Sequence, residues 1–580
     1  MKISTIHFSE KTKLHIVSVA VGALCGLAAV VLKTAIHWIE FGLTSWFSSD
    51  YDDLLYLVYP GVGMLLSLLF VKYVVKEDIS HGVTKVLLAV SKNDSKISER
   101  NTWASLVASS LTIGFGGSGG AEAPIVYTGA AIGSNVGRRA GLSNRSLKIL
   151  IGCGSAAAIA GIFKAPLAGV LFTLEILLFN LSMSSILPVL LSSITATVVT
   201  YLMLGDEVAF AGSIAPFSMG NMPFYLVLGL FCGAMSLYFM RVTLRLEDKM
   251  RKFSNRWTRW AVGAGMLGIL IFFFPPLYGE GYDSLSSLLN NSSQDLAGGF
   301  FSDFLGNPWA FLGFAAAILL LKVFATAFTN AGGGVGGTFG PTLVSGGVAG
   351  FVVARLINLS GIAAVPEANF VLVGMGGMMA GVMQAPMTAI FLIAEITGGY
   401  DLFLPLILTS AISFATMRSS ERYSIYTKRI AAQGELLTHD SDQAVLTLLK
   451  TTELIETDFR PVPVDGNLGD MVKAISKSRR SVFPVVDARG HFCGVIYLDD
   501  VRAIMFDPSL YQHVKVKSLV RSAQGFVYED EKMESVMEKF ERTGAWNLPV
   551  VDDENKFLGF VSKSRIFTSY RDQLRELSNE

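Results

Sequence analysis

Charge is scarce in this chain. Only 16% of its 580 residues are Asp, Glu, Lys or Arg, against about 25% in an ordinary soluble domain. That shortage argues against a water-soluble globule of this length. The net charge is zero, so no global basic excess points to nucleic acid, and none is expected as a partner. Cysteine is scarce too. Cys25, Cys153, Cys232 and Cys493 stand singly, three of them inside apolar runs, where the thiol packs as a small hydrophobe. No disulfide framework or metal-ligand spacing follows from them. No H-E-x-x-H or Walker A pattern occurs. A membrane-embedded enzyme therefore lacks both a metal cluster and a nucleophile–base pair, and the chain reads as no enzyme.

What is present is apolar length. Runs such as Ile16 to Leu32, Phe224 to Met240 and Phe311 to Phe328 recur from about Val17 to Met417. Each approaches the roughly 20 residues that cross a hydrocarbon core. Others are shorter or broken by Gly and Pro. The first run has no small-residue cleavage pattern after it, so it reads as a retained span rather than a signal peptide. Lys11 and Lys13 precede that span, Lys72 and Lys76 follow the second, and Arg241 to Trp260 is rich in Arg and Lys; the loop with Asp50, Asp52 and Asp53 has no base. By the positive-inside rule the N-terminus, the Arg241 segment and the tail after Lys428-Arg429 lie in the cytoplasm. The expected location is a cell inner membrane or a plasma membrane, in contact with lipid.

The apolar part repeats itself. "AGIFKAPLAGVLFTLEI" (Ala160 to Ile176) matches "AGVMQAPMTAIFLIAEI" (Ala380 to Ile396), with Gly161/Gly381, Pro166/Pro386 and Glu175/Glu395 in one register. Upstream of each copy is a glycine-rich loop that ends in proline, at Pro124 and Pro341. Two halves with interrupted helices point to a transporter with a site near the midplane. Irregular backbone at that depth must be buried in protein or line a watery cavity. The two glycine loops should therefore face each other. Composition changes near Ser420, and a second repeat follows: Phe483 to Val501 matches Leu548 to Ile566 at an offset of 65 residues. An amphipathic helix precedes each copy, which makes a tandem α/β module.

A helix start leaves N–H groups unpaired and carries partial positive charge. Glycines ahead of it let an ion approach successive amides, and proline suits the first turn. Two such starts that converge bind an anion without a full cation. That favours flux, because a Lys or Arg would retain the anion. Glu122 stands at the first of these starts. An ionisable residue at membrane depth is a functional candidate. Its carboxylate is a tethered anion that can fill the site and block it.

These residues carry a resemblance. The chain resembles the CLC family of chloride channels and proton-coupled chloride exchangers, with C-terminal tandem CBS domains. The motif G-x-F-x-P is matched by Gly337-Thr338-Phe339-Gly340-Pro341. The motif G-[KR]-E-G-P appears as Gly120-Ala121-Glu122-Ala123-Pro124, with the base and the second glycine replaced. The motif G-S-G-I-P is degenerate, at Ser80-His81-Gly82-Val83-Thr84, and "SIYTKRI" resembles the segment of the central tyrosine, here Tyr426.

The resemblance implies a polytopic α-helical membrane protein with two inverted-topology repeats and broken helices, followed by a cytoplasmic CBS pair. The expected boundaries are 1–430 for the pore (repeats about 12–205 and 222–420), 431–455 for a linker, and 456–512 and 513–575 for the CBS modules. It implies a homodimer that passes chloride or a similar small anion. Glu122 is the gate, and His81, Gly82, Gly120, Ala121, Ala123, Thr338, Phe339 and Tyr426 hold the anion. His81 stands where the family usually has a serine, and loss of the base at 121 weakens anion attraction. Ile176 occupies the place of the inner proton-carrying glutamate, which favours passive flux over proton exchange. Glu175 and Glu395 read as helix-end structural residues. A CBS-regulated divalent-cation transporter is a rival from another class, but it would need several carboxylates along the pore. The CBS ribose pattern is incomplete: Gly494, Tyr497 and Asp500 in one copy, Gly559, Ser562 and Arg565 in the other. No cofactor is required. An adenine nucleotide could contact Tyr497, Asp500 and Ser562, with Arg479, Arg480 and Arg565 as phosphate candidates.

Overall fold

The computed structural model describes residues 9–45, 52–91, 95–177, 183–205, 214–290, 306–431 and 449–579. The chain divides into two compact units, Met1–Glu435 and Leu436–Glu580. Most of the acidic loop around Asp50 and most of the expected linker fall outside the described residues.

The first unit is helical. In its first half come α1 (Glu10–Ser45), α2 (Asp52–Phe70), α3 (Gly82–Ser91), α4 (Ala104–Gly114), α5 (Glu122–Arg139), α6 (Asn144–Phe163), α7 (Pro166–Glu175) and α8 (Met183–Leu204). The second half has α9 (Met222–Arg251), α10 (Arg256–Phe273), α11 (Tyr282–Leu289), α12 (Pro308–Ala331), α13 (Phe339–Leu359), α14 (Glu367–Met383), α15 (Pro386–Ile396) and α16 (Phe403–Ser420); α17 (Ile425–Ala431) follows. Among the described residues, seven helices are long and apolar enough to cross a membrane, and α4, α7, α14 and α15 are shorter apolar helices.

The halves repeat in packing as well as in sequence. α5 and α6 approach so closely at Gly129 and Gly154 that a Cβ on either would strike the other's carbonyl oxygen; Gly346 and Gly374 do the same between α13 and α14. Lys164 and Gln384 end α6 and α14 in the same left-handed conformation (φ 56° and 54°). The halves also meet through reciprocal bonds between equivalent residues. Gly120 N–H donates to the Gly337 carbonyl (3.0 Å) and Gly337 N–H to that of Gly120 (2.7 Å). Thr112 Oγ1 accepts from Val335 N–H (3.0 Å), and Thr329 Oγ1 accepts from Ser118 N–H (3.1 Å). The Glu175 carboxylate accepts from the N–H groups of Met387 and Thr388, while that of Glu395 accepts from Leu167 and Ala168. Every one of these contacts maps onto its own counterpart when the halves are exchanged, as a pseudo-two-fold axis between antiparallel halves requires. The two glycine loops face each other, as expected, and both are buried.

The second unit holds two similar modules. In the first, β1 (Val462–Pro463) pairs parallel with β2 (Val482–Val486), which pairs antiparallel with β3 (Phe492–Tyr497). In the second, β4 (Val527–Tyr528), β5 (Asn547–Val551) and β6 (Phe557–Ser562) repeat that order and register, with Val485 opposite Gly494 and Val550 opposite Gly559. The amphipathic stretches form α19 (Leu468–Ser476), with an Asn467/Asp470 capping box, and α21 (Met533–Thr543), ended by left-handed Gly544. Two expected boundaries need correction. The short helix α18 (Thr451–Leu454) lies inside the expected linker, yet Leu454 packs into the second module's core with Val536 and Phe540. Val516 lies beyond the expected break at 512/513, yet it packs with Leu468 and Phe483 in the first core. In both cases an apolar side chain near the boundary is buried by residues distant from it in the sequence. The helices α20 (Leu498–Val501) and α22 (Lys563–Asn579) follow β3 and β6.

Candidate functional site

α5 and α13 begin side by side at the Gly120–Gly337 bridge. Pro124 and Pro341 each take the third helical position, where a missing N–H costs nothing. Glu122 opens α5, and its carboxylate crosses to the other half: Oε2 accepts from Gly340 N–H of α13 (3.1 Å), and Oε1 accepts from the Tyr282 hydroxyl (2.5 Å). Glu122 is 2% exposed. Its carboxylate folds over Gly120, where any Cβ would collide with Oε2. An acidic oxygen thus occupies a first-turn amide of α13, in the position a free anion would take.

Thr338 and Phe339 begin α13. Phe339 is buried against Phe163 and Phe172, with ring centroids 5.7 and 6.2 Å away. Tyr426 is on α17, and its hydroxyl lies beside that of Thr338. Both oxygens are buried, and neighbouring hydroxyls in such a place are polar groups available to one another and to a small polar ligand. Gly82 opens α3 hard against Ala123, where a Cβ would approach the Ala123 carbonyl oxygen to 2.5 Å. His81 precedes it in a left-handed conformation, φ 55°. The structure thus gathers Glu122, Gly120, Ala123 and Gly82, and sets Thr338 beside Tyr426 next to them. Two of the expected amides are already engaged. That of Gly120 is in the bridge, and that of Ala121 donates to Glu280 Oε1 (2.8 Å).

His81 faces a cavity of about 590 Å³, lined by Lys72, Lys76, Arg251, Arg256 and Arg259 as well as Glu77, Asp78 and Glu247. The base-rich stretches seen in the sequence therefore surround one vestibule, which reaches the Gly332–Gly334 stretch before α13. A wall with more bases than acids draws anions toward the site. Deeper in, Glu247 and Arg429 form a buried pair (2.6 Å), and His81 Nε2 lies 3.8 Å from Glu247 Oε2. Neither charge is tenable alone there, because desolvation costs several kcal/mol per ion.

Sequence reasoning missed Glu280, Tyr282, Glu247, Arg429 and Lys322. Lys322 had a signal: a lone cation inside an apolar helix. Glu280 and Tyr282 sit in "YGEGY", a short turn whose glycines at 279 and 281 are left-handed. Ile176 is buried at 4% exposure and carries no ionisable group.

The expected nucleotide contacts are engaged within the second unit. Asp500 pairs with Arg521 (2.5 Å), and the Ser562 hydroxyl donates to Glu456. Arg480 is held by Glu456 and Asp458 (2.5 and 2.6 Å).

Comparison with known proteins agrees with this geometry. Residues 62–418 match the family model of the voltage gated chloride channel, and residues 452–507 and 516–572 each match that of the CBS domain. A putative chloride channel protein, ClcB-like, of Ralstonia nicotianae is 30% identical over 387 residues, which is 65% of this chain and 85% of that protein. Chloride channel protein CLC-e of Arabidopsis thaliana is 29% identical over 68% of this chain and 62% of its own length. The proton/chloride exchange transporter ClcA of Vibrio cholerae is 27% identical over 69% of this chain and 86% of its own length. Among solved structures, a slow cyanobacterial chloride/proton antiporter superposes with a TM-score of 0.62 at 21% identity, covering 74% of this chain and 99% of that one. A eukaryotic CLC transporter superposes with the same score at 18% identity, covering 96% and 98%. At those identities the superpositions speak for the fold alone.

Proposed function

We propose proton-coupled anion exchange for this protein from one premise: the chain belongs to the voltage-gated chloride channel (CLC) family. Membership makes it a membrane anion transporter rather than an enzyme. The finer reading is that chloride, or a similar small anion, moves in exchange for protons. One observation carries it: the Glu122 carboxylate fills the amide position of α13 that an anion would need. Anion entry then requires that Glu122 leave or lose its charge, which ties protonation to anion movement. The exchange activity named for the Vibrio cholerae relative supports the same reading. Passive flux, which the sequence favoured on Ile176, stays as the second reading, because a buried isoleucine cannot relay a proton. A water path to Glu122 through the vestibule would remove that objection.

A divalent cation fits the site poorly. Such ions want several carboxylate oxygens, and among the described residues no group of three or more His, Cys, Asp or Glu is arranged to hold a metal ion. The vestibule bases support a cytoplasmic position for that face by the positive-inside rule. The homodimer and the adenine nucleotide implied by the resemblance belong to the proposal as well. The test uses proteoliposomes with a chloride gradient and no proton gradient. Exchange predicts sustained uphill proton movement that is blocked by chloride removal and abolished in Glu122→Gln, with anion flux retained. Anion flux with no proton movement in the unmodified protein would establish the passive reading instead.

A further inference from the structure

The pseudo-symmetry that pairs α5 with α13 also pairs α3 with α11. Each is a short helix that follows a left-handed residue, His81 (φ 55°) or Gly281 (φ 91°). Each starts against the first turn of a pore helix. Gly82 abuts Ala123 of α5, and the Tyr282 hydroxyl lies 3.0 Å from where a Cβ on Gly340 of α13 would stand. The two starts reach the site from opposite faces. Arg256 and Arg259 line the vestibule at the beginning of α10; α10 then runs 18 residues to Phe273 before the turn that carries Glu280. At 1.5 Å per residue that is about 27 Å. Where α3 brings His81 from the vestibule, α11 brings Glu280 and Tyr282 from the opposite end of α10.

That turn is fastened to the site at several points. Gly279 N–H donates to the Gly116 carbonyl (3.1 Å), Tyr282 donates to Glu122, and Ala121 N–H donates to Glu280. Lys322 is fully buried, and its Nζ donates to the carbonyls of Leu277 (3.3 Å) and Gly279 (3.1 Å) in the same turn. Glu280 is the acid whose charge acts on that buried amine. Glu280 is partly exposed, so it meets solvent as well as the site. The charged and titratable groups acting on it are Glu122 of α5, Lys33 of α1, Lys322 of α12 and Tyr282 of α11. Where the family motif carries a base at position 121, this chain has an alanine whose amide is capped by an acid.

We infer that Glu280 is a second acidic gate: its carboxylate holds the Ala121 amide on the side opposite the vestibule, so an anion passes only when that carboxylate is protonated and releases the amide. This rests on the anion-transport reading above. Two carboxylates then stand in series on one path, Glu122 on the α13 amide and Glu280 on the α5 amide. Flux along that path should require protonation at both.

Chloride efflux from proteoliposomes, measured against pH set equally on both sides, tests this. The unmodified protein should show a rate that rises with nearly the second power of proton concentration on the alkaline limb. Glu280→Gln should lower that order to about one and raise the neutral-pH rate about tenfold, the equivalent of about 1.4 kcal/mol. Glu122→Gln should also leave first-order dependence, and the double variant should be indifferent to pH. Glu280→Gln with an unchanged order, at whatever rate, overturns the proposal, since a purely structural role would alter amplitude alone. If Glu280→Gln cannot be recovered folded, Glu280→Asp takes its place. It should keep second order with a displaced midpoint, and an undisplaced midpoint overturns the proposal. Unmodified protein that passes no anion at any pH would remove the anion reading itself, and this gate with it.

Discussion

Glu175 and Glu395 offer the sharpest test of the two-fold architecture. Each carboxylate ends one short helix and caps the start of the other. Glu175 accepts from Met387 N–H (3.0 Å), Thr388 N–H (2.6 Å) and the Thr388 hydroxyl (2.7 Å); Glu395 accepts from Leu167 (3.0 Å) and Ala168 (2.8 Å). Loss of a side-chain cap costs about 0.5–2 kcal/mol, and removal of a negative charge from a helix start costs about 0.3–1 kcal/mol more. Both residues are half-buried, so water replaces the lost partners only in part, which puts each Glu→Ala change near the top of that range, about 2–3 kcal/mol. The two caps join the same pair of helices, so their losses should not add; a coupling of about 0.5–3 kcal/mol is normal for residues in one network. Thermal unfolding of the detergent-solubilised single and double variants measures this, with chloride and proton fluxes recorded on the same preparations. Glu175→Gln with unchanged unfolding, normal chloride flux and no proton movement would refute the cap and make Glu175 a proton carrier.

The second unit supports two further expectations. The guanidinium of Arg480 beside Asp458 holds that carboxyl below its usual range. A depressed folded value contributes stability above the unfolded Asp value of about 3.9 and loses it as pH falls through the folded one. Unfolding of the full chain followed by a probe in the second unit should therefore show an acid limb below about pH 4, flattened in Arg480→Ala; an unaltered limb counts against the pair. An adenine nucleotide that used Asp500 for its ribose would compete there with Arg521, which holds Oδ1. Arg521→Ala should therefore tighten adenosine monophosphate binding severalfold in isothermal titration of the full protein, and Asp500→Ala should abolish it. Equal heats from all three proteins would dismiss Asp500 as the ribose contact.

Much of this was readable beforehand for physical reasons. Helix starts tolerate Pro124 and Pro341, and a helix end that caps its neighbour demands Glu175 and Glu395. Those constraints act on single positions, so they recur visibly in both halves. The α/β modules were legible by the alternation of apolar strands and amphipathic helices. Their edges were not, because Leu454 and Val516 are buried by residues far along the chain. The same holds for the site's supporting shell. Glu247 meets Arg429 across 182 residues and Tyr282 meets Glu122 across 160. No local period or spacing encodes such pairings, since they exist only once the helices have packed.

The pseudo-two-fold axis also explains why function sits where it does. Gly120 answers to Gly337, Ser118 to Val335 and Thr112 to Thr329, all at one offset of 217 residues. Each pair makes equivalent bonds on both sides, and such pairs can only hold the halves together. Carried two residues further, the offset sets Glu122 against Phe339 and Ala123 against Gly340. There the equivalence fails. One half offers a carboxylate, and the other a phenyl ring packed between Phe163 and Phe172. The acid reaches across the axis to the Gly340 amide, a bond that has no counterpart in reverse because Phe339 carries no acceptor. A symmetric pair of acids would confront two negative charges across a few ångströms, and a symmetric pair of phenyls would leave nothing to titrate. The α3/α11 pair repeats the asymmetry, with a histidine and its vestibule on one side and Glu280 on the other.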